Sequence, residues 1–209
     1  MKLLLVGSTG LVGRQVLDLA LADQRVSGVV ALARRALPAH PKLLAPGVDF
    51  DRLPDDAHWW RADAVICTLG TTMRAAGSRP AFRRVDYDYP LAVARLAKQH
   101  GTPAYVLNSA LGADVSSRVF YSRVKGELER DLTALEFASL VLVRPGLIGG
   151  ARDEARPGER ASIAALTLFG SLLPRRWRIN PAPKIARALV DAACNPAPGI
   201  RVVTSEHLV

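Results

Sequence analysis

The feature that most constrains this chain is a glycine triplet set directly after its first apolar run. Leu3-Leu4-Leu5-Val6 leads into Gly7-Ser8-Thr9-Gly10-Leu11-Val12-Gly13, and apolar residues then recur at helical spacing: Leu11, Val12, Val16, Leu19 and Ala20. A buried strand, a G-x-x-G-x-x-G turn and an amphipathic helix, in that order, form the opening of a βαβ unit. Glycine reaches the positive φ of a tight turn and lets the backbone approach a bound group closely. The unpaired N–H groups and the dipole at a helix start favour negative charge, such as a pyrophosphate. The plainer alternative is an ordinary tight turn whose glycines are incidental.

The same alternation continues to about residue 150. Strands are predicted over 26–32, 64–67, 104–107 and 139–143, with a weaker one near 48–50 in a proline-rich stretch. Helices are predicted over 82–99, ended by Gly101, and over 119–135, with Glu127 and Glu129 on the exposed face. This order implies the α/β class: a doubly wound parallel sheet with helices on both faces and right-handed crossovers. After Gly150 the pattern changes. Residues 151–160 read as a polar loop, 161–173 as an apolar helix, 183–193 as a further helix and 200–203 as a last short strand. The expectation is one domain over 1–209, with a core over 1–150 and a small substrate-side lobe over 151–209. Ligands of such sheets bind outside the carboxyl ends of the strands.

Composition narrows the function. Apolar residues make up 49% and charged residues 22% of the 209, which excludes a disordered or collagen-like chain. Cys67 and Cys194 are far apart and form neither a disulfide framework nor a zinc pattern. His40, His58, His100 and His207 are dispersed, so no metal site is expected. No apolar run approaches the roughly 20 residues that span a bilayer. A cytoplasmic protein with no membrane partner is therefore expected. The net charge is +9, from 28 basic and 19 acidic residues. The basic residues are scattered, their longest runs being pairs, and no aromatic residues interleave them. That disfavours nucleic acid as a partner and leaves a small-molecule substrate. The sequence carries no signal for oligomeric state. Trp59-Trp60 is expected to pack a helix onto the sheet. Phe169 and Trp177 either line a substrate pocket or belong to the core.

Two further clusters carry chemistry. The second strand ends Ala31-Leu32-Ala33-Arg34-Arg35, with no acidic residue to hold a ribose 2′-hydroxyl and two guanidiniums able to pair with a 2′-phosphate. This favours NADP(H) over NAD(H); the alternative is a solvated basic turn. Ser109 follows the fifth strand, and Tyr121 and Lys125 form a Y-x-x-x-K that puts phenol and ammonium on one helix face. A nearby cation lowers the phenol pKa from about 10 and fits it for proton transfer, while the serine hydroxyl can hold a substrate oxygen. A surface tyrosine and lysine at helical spacing is the alternative.

With these residues the chain resembles the short-chain dehydrogenase/reductase superfamily, of the atypical or extended kind. Within it, Cys67 to Thr72, Ala76-Gly77-Ser78, Phe82 to Asp86, Asn108 to Ala113, Tyr121 to Glu127 and Arg144-Pro145-Gly146 are similar to the Tat-interacting-protein-like (HTATIP2-like oxidoreductase) subgroup. The likeness covers residues 1–150 well and the remainder loosely. It implies a Rossmann fold in which Gly7, Thr9, Gly10, Leu11, Val12 and Gly13 cradle pyrophosphate and Arg34 and Arg35 hold the 2′-phosphate. It also implies that Asp49 and Phe50 border the adenine and that Leu69, Gly70 and Thr71 line the path to the nicotinamide ribose. Pro145, Gly146, Leu147 and Ile148 would lie beside the nicotinamide. Ser109, Tyr121 and Lys125 would be catalytic, with Tyr121 and Lys125 also at the cofactor. One departure stands out: Asp86 occupies the place where many members carry an active-site Asn, and is expected to cap or hydrogen-bond within its helix start. The expected function is NADP(H)-dependent hydride transfer on a carbonyl/alcohol pair. An NADP-binding regulatory or interaction protein is the alternative from another class. An isomerase or dehydratase is a third reading, with little chain after residue 150 to grip a sugar nucleotide.

Overall fold

The first strand, β1 (Lys2–Val6), is buried at every residue but its first. Its side chains alternate, Leu3 and Leu5 into one apolar layer and Leu4 and Val6 into the other. Each such fully buried leucine contributes about 1.5–3 kcal/mol of hydrophobic stabilisation. A strand buried on both faces belongs at the centre of a parallel sheet, and that is where β1 lies. The computed structural model describes residues 1–149 and 174–209. The loop and helix expected over 151–173, with Phe169, lie outside the described residues, as does the side chain of Trp177.

In chain order the elements are β1, α1 (Leu11–Ala22), β2 (Gly28–Leu32), β3 (Leu43–Leu44), β4 (Ala64–Cys67), α2 (Met73–Ala76), α3 (Arg79–Arg83) and α4 (Tyr89–Gln99). There follow β5 (Ala104–Asn108), α5 (Phe120–Thr133), β6 (Ser139–Arg144), β7 (Ile148–Gly149), β8 (Asn180–Pro181), α6 (Ala182–Cys194) and β9 (Gly199–Thr204). The main sheet is parallel throughout and runs β3-β2-β1-β4-β5-β6-β9. Helices α1 and α6 cover one face; α4, α5 and Trp60 cover the other. Trp60 is fully buried and its indole N–H donates to the Pro54 carbonyl at 2.7 Å. The chain order reverses at β1, so β1 and β4 diverge at their carboxyl ends and open the crevice in which such sheets bind ligands.

Four sequence expectations are corrected. The third strand is the two-residue β3, not 48–50. The apolar pull of Phe50 is satisfied by packing on Tyr89, with ring centroids 5.4 Å apart, and not by sheet pairing. The helix expected over 82–99 is interrupted by a π-turn at Arg84–Asp88 between α3 and α4. Helical periodicity does not reveal such a widened turn, which adds one residue to a turn that otherwise keeps its spacing. Glu129 is not exposed: it is 5% accessible and is paired with Arg144. Finally, the described residues after 180 form no appended lobe. Helix α6 packs against α1, and β9 pairs with β6 in register from Ser139↔Gly199 to Arg144↔Thr204, so both complete the main layers. Among the described residues no helix is long and apolar enough to cross a membrane.

Candidate active site

The glycine turn is shaped by its neighbour strand. Gly7 has φ +88°, and a Cβ there would lie 2.6 Å from the Thr68 carbonyl carbon. A Cβ on Gly13 would lie 2.0 Å from the Gly7 carbonyl oxygen. Both positions therefore require glycine, one for conformation and contact and one for contact alone. Gly10, whose added Cβ would meet only the Gly7 oxygen at 3.4 Å, keeps the surface above the turn low. Helix α1 starts there with no side-chain cap and no acidic residue in its first turn. Its leading N–H groups are left for an anion. The Ser8 hydroxyl in the same turn is buried without a partner.

Above the turn, at the carboxyl ends of β1, β4 and β5, lies a cavity of about 520 Å³. Of the sequence-predicted residues it brings together Gly10, Leu11, Val12, Leu69, Gly70, Thr71, Ser109, Tyr121, Lys125 and Ile148. Gly7, Thr9 and Gly13 back the turn. Pro145 and Gly146 stand behind Ile148: the Pro145 carbonyl accepts from Leu111 N–H at 2.7 Å, and Gly146 N–H donates to Asn180 Oδ1 at 2.6 Å. Leu147 is exposed. Arg34, Arg35 and Asp49 are exposed beyond the ends of β2 and β3, and none of them lines the cavity. Phe50 is a core residue. Sequence reasoning missed Asn180, fully buried, whose amide joins Gly146 to Ser205 and so holds the Pro145–Ile148 stretch. It also missed Asn108, next to Ser109 at the end of β5. Asn108 lines the cavity, with its Oδ1 buried and without a hydrogen-bond partner.

Tyr121 and Lys125 share a face of α5 as their spacing predicts. The surprise is Asp86. One of its oxygens lies 2.9 Å from Lys125 Nζ and the other accepts Thr71 N–H at 2.7 Å, with the aspartate 1% and the lysine 3% accessible. Asp86 thus caps no helix; the π-turn carries it across to α5 and to the Leu69–Thr71 loop. Burial works against the Lys125 ammonium, but the charge of Asp86 outweighs it and holds Lys125 above its ordinary range. Burial pushes the Tyr121 phenol up, Lys125 pulls it down and Asp86 pushes it up again, leaving it above its ordinary value. Lys125 thus lowers the phenol as its spacing predicts, but burial, the largest influence, outweighs it. The Tyr121 ring rests on Phe82, centroids 5.7 Å apart, and remains partly open to solvent.

Ser109 is placed differently from the sequence expectation. Its buried hydroxyl donates to Glu129, whose carboxylate also accepts from Arg144 Nε at 3.0 Å and from the second nitrogen of that guanidinium. Its hydrogen is committed to this α5–β6 network, and only its lone pairs remain for a ligand. Among the described residues no group of three His, Cys, Asp or Glu could hold a metal ion.

A dinucleotide fits these surroundings: a glycine turn that a Cβ would fill, a helix start without a cap, and orphaned polar atoms at Ser8 in the turn and Asn108 in the cavity lining. No family model matches the chain. It is 36% identical over 201 residues to "Protein fmp52, mitochondrial" of Emericella nidulans, covering 90% of this chain and 85% of that one. It is 36% identical over 203 residues to "Protein HTATIP2" of Rattus norvegicus, covering 93% and 82%. The resemblance carried by the sequence motifs is borne out. Among solved structures, MoeE5 in complex with UDP-glucose and NAD matches with a TM-score of 0.74 at 19% identity, over 97% of this chain and 75% of that one. The Bordetella bronchiseptica enzyme WbmH in complex with NAD+ matches with a TM-score of 0.68 at 17% identity, over 98% and 75%. These likenesses establish the Rossmann-type fold. The relatives also overturn one expectation: several fungal ones are named as mitochondrial, so the cytoplasmic reading does not stand.

Proposed function

We propose that this chain, which belongs to the family of the FMP52 and HTATIP2 proteins, is an NADP(H)-dependent oxidoreductase acting on a carbonyl/alcohol pair of a small molecule. The observation that carries the reading is the opening of Tyr121 and Lys125, on one face of α5, into the cavity that begins at the glycine turn. A bound nicotinamide cofactor supplies or accepts the hydride there. The residues of this chain do the rest. Gly7, Thr9, Gly10, Leu11, Val12 and Gly13 would hold the pyrophosphate on the start of α1. Arg34 and Arg35 would take the 2′-phosphate, with Asp49 and the edge of Phe50 toward the adenine. Leu69, Gly70 and Thr71 would line the ribose path, Lys125 would bind ribose hydroxyls, and Pro145 to Ile148 would exclude water from the reacting end. Tyr121 would give its phenolic proton to the forming alcohol oxygen, and Ser109 would orient that oxygen by its lone pairs or through water. The pairing of β9 with β6 and the packing of α6 on one face of the sheet support a single cofactor-binding unit.

One observation favours a second reading. With the Ser109 hydrogen held by Glu129, the serine offers the cavity no hydroxyl donor. A cofactor-binding regulatory protein with little turnover would need no more than is seen. The deciding experiment follows the oxidation of NADPH and NADH across a broad carbonyl panel, with cofactor affinity measured in parallel. NADPH-dependent reduction of any member supports the oxidoreductase. Tight NADPH binding with no turnover anywhere in the panel supports the regulatory reading instead.

A further inference from the structure

At the other end of the sheet, where β1, β2 and β3 begin, lies a second cavity, of about 310 Å³. Lys2, Gly28 and Leu43, the first residues of those strands, all line it. A crossover between parallel strands is usually an α-helix laid on the sheet. Between β3 and β4 the chain forms only one 3-10 turn, His58–Trp60. The β2–β3 flank on the α4 and α5 side is therefore left open: Val30 of β2 and Trp59 of the turn are only half-buried in that layer, and Leu44 is exposed. The lining has two parts. One is apolar, with Val30, Leu44 and the Trp59 ring; the other is basic, with Lys2, Lys42, Arg61 and His58. No acidic residue lines the cavity among the described residues. Asp63 has a carboxylate oxygen on the Lys2 backbone N–H at 2.6 Å, and Asp23 is paired with Arg25 at 2.6 Å. Lys42 Nζ donates once, to the Asp23 carbonyl at 3.1 Å, and keeps two further donors. The side chains of Lys2 and Arg61 have no hydrogen bond or ion pair within the described residues. Trp59 has the His58 ring on edge, centroids 5.5 Å apart, and its indole N–H is buried with no acceptor.

We propose that this cavity binds a planar aromatic anion, its ring against Trp59 and its phosphate or carboxylate among Lys2, Lys42 and Arg61. The volume is enough: cavities for small ligands begin at about 300 Å³. A flat body is favoured over an alkyl chain because the wall is an indole, and offset stacking adds to the burial of apolar area. An anion is favoured because three cations and no carboxylate line the space. A cationic ligand is repelled there, and a neutral one leaves their charges unmet. A guanidinium can hold two oxygens of a phosphate or carboxylate at once, and each ammonium adds a point charge. Lys2 and Arg61 are exposed, so salt screens their share and the aromatic wall carries much of the affinity. The ligand also brings an acceptor to a wall whose indole N–H has none, and a donor buried that way is costly. The means differ from those at the glycine turn. There an anion meets the backbone N–H groups of a helix start; here it meets side-chain cations, with β1 running from one site to the other.

The test is a titration of the full chain followed through the indole N–H signals of proton–nitrogen correlation spectra. The chain has three tryptophans, and Trp59→Phe identifies the Trp59 signal by its loss. The probes are α-naphthyl phosphate and α-naphthoate, with neutral α-naphthalenemethanol and inorganic phosphate as controls. Either aromatic anion is expected to move the Trp59 signal saturably, with a dissociation constant of about 0.1–1 mM. The Trp60 signal, held by the Pro54 carbonyl, should stay in place. The tighter of the two anions identifies the headgroup as phosphate or carboxylate. Arg61→Gln combined with Lys42→Gln should weaken binding roughly tenfold or more. Should that pair of changes disturb folding, Arg61→Gln alone, at an exposed position, should weaken it several-fold. Failure of both anions to move the Trp59 signal overturns the site. Unchanged affinity in the charge variants, or naphthalenemethanol binding as tightly as the anions, overturns its basic character. Inorganic phosphate binding as tightly as naphthyl phosphate overturns the aromatic one.

Discussion

Tyr121 and Lys125 are four residues apart and make separable contributions, so single substitutions should part them. Tyr121→Phe keeps the ring on Phe82 and removes only the hydroxyl. Turnover should fall by about 10²–10⁴, the usual worth of general acid–base catalysis, with NADPH affinity unchanged. Steady-state rates beside a fluorescence titration of cofactor measure both; a loss of affinity equal to the loss of rate would reassign Tyr121 to binding. Lys125→Met acts on stability as well. It strands the Asp86 carboxylate in a buried site, which should cost about 3–5 kcal/mol by denaturant unfolding, whereas removing both charges should cost much less. The pH dependence of stability follows with its sign. Lys125, Tyr121 and Tyr105 are all held above their ordinary values, the first by Asp86 against burial, the two phenols by burial. Each keeps its proton in the folded chain where the unfolded chain has lost it. Their contribution is complete below the ordinary values near about 10 and is lost as pH rises through the folded values. Unfolding midpoints measured between about pH 8 and 11 should therefore fall. A midpoint flat across that range would contradict the placement of these groups.

At the scale of elements, the β1–α1 joint is the tightest. Gly13→Ala puts a methyl 2.0 Å from the Gly7 carbonyl, and backbone on both sides must move. That should cost about 1–3 kcal/mol and abolish cofactor binding together. Gly10→Ala meets only a 3.4 Å contact, so it should fold normally and weaken the cofactor alone. Thermal melts with and without NADPH separate the two; equal destabilisation by both would mean that the joint is looser than described. This joint was legible in the sequence because strand, glycines and helix are contiguous there. So were β4, β5, β6 and the Tyr–Lys face of α5, each carried by local periodicity. What periodicity misses is what depends on partners far along the chain. Asp86 meets Lys125 across 39 residues through a π-turn that leaves the apolar spacing intact. Glu129 reads as a surface residue until Arg144 and Ser109 are brought to it by β6 and β5. Asn180, isolated between prolines and arginines, shows its use only once β6 and the Ser205 turn are packed around it. For β3 the error was of another kind: Val48-Asp49-Phe50 has the alternation of a strand, but Phe50 enters the core as a loop residue.

For the molecule as a whole, charge sets the last expectation. The 209 residues carry a net +9, and Arg34 and Arg35 stand exposed past the end of β2, outside the cavity. A dinucleotide whose pyrophosphate lies on the start of α1 would extend its adenosine end toward that edge of the sheet. NADPH brings a 2′-phosphate there and NADH does not. Two guanidiniums can meet that phosphate bidentately, but in open solvent, where ions screen them over a Debye length of about 8–10 Å. The preference for NADPH should therefore be real and sensitive to salt. At low ionic strength NADPH should bind roughly tenfold or more tighter than NADH, a difference of about 1.4 kcal/mol per factor of ten. As salt rises its affinity should fall more steeply than that of NADH. The general positive field acts on both cofactors through their shared pyrophosphate, so only the difference between the two slopes reports on the arginines. Replacing both Arg34 and Arg35 by Ala should bring the two slopes together and leave the affinity for NADH almost unchanged. Titrations of both cofactors at several salt concentrations, on wild type and on the double variant, give all four slopes. Parallel slopes in the wild type would show that the 2′-phosphate is not read by this pair, and cofactor choice would then have to be sought inside the cavity.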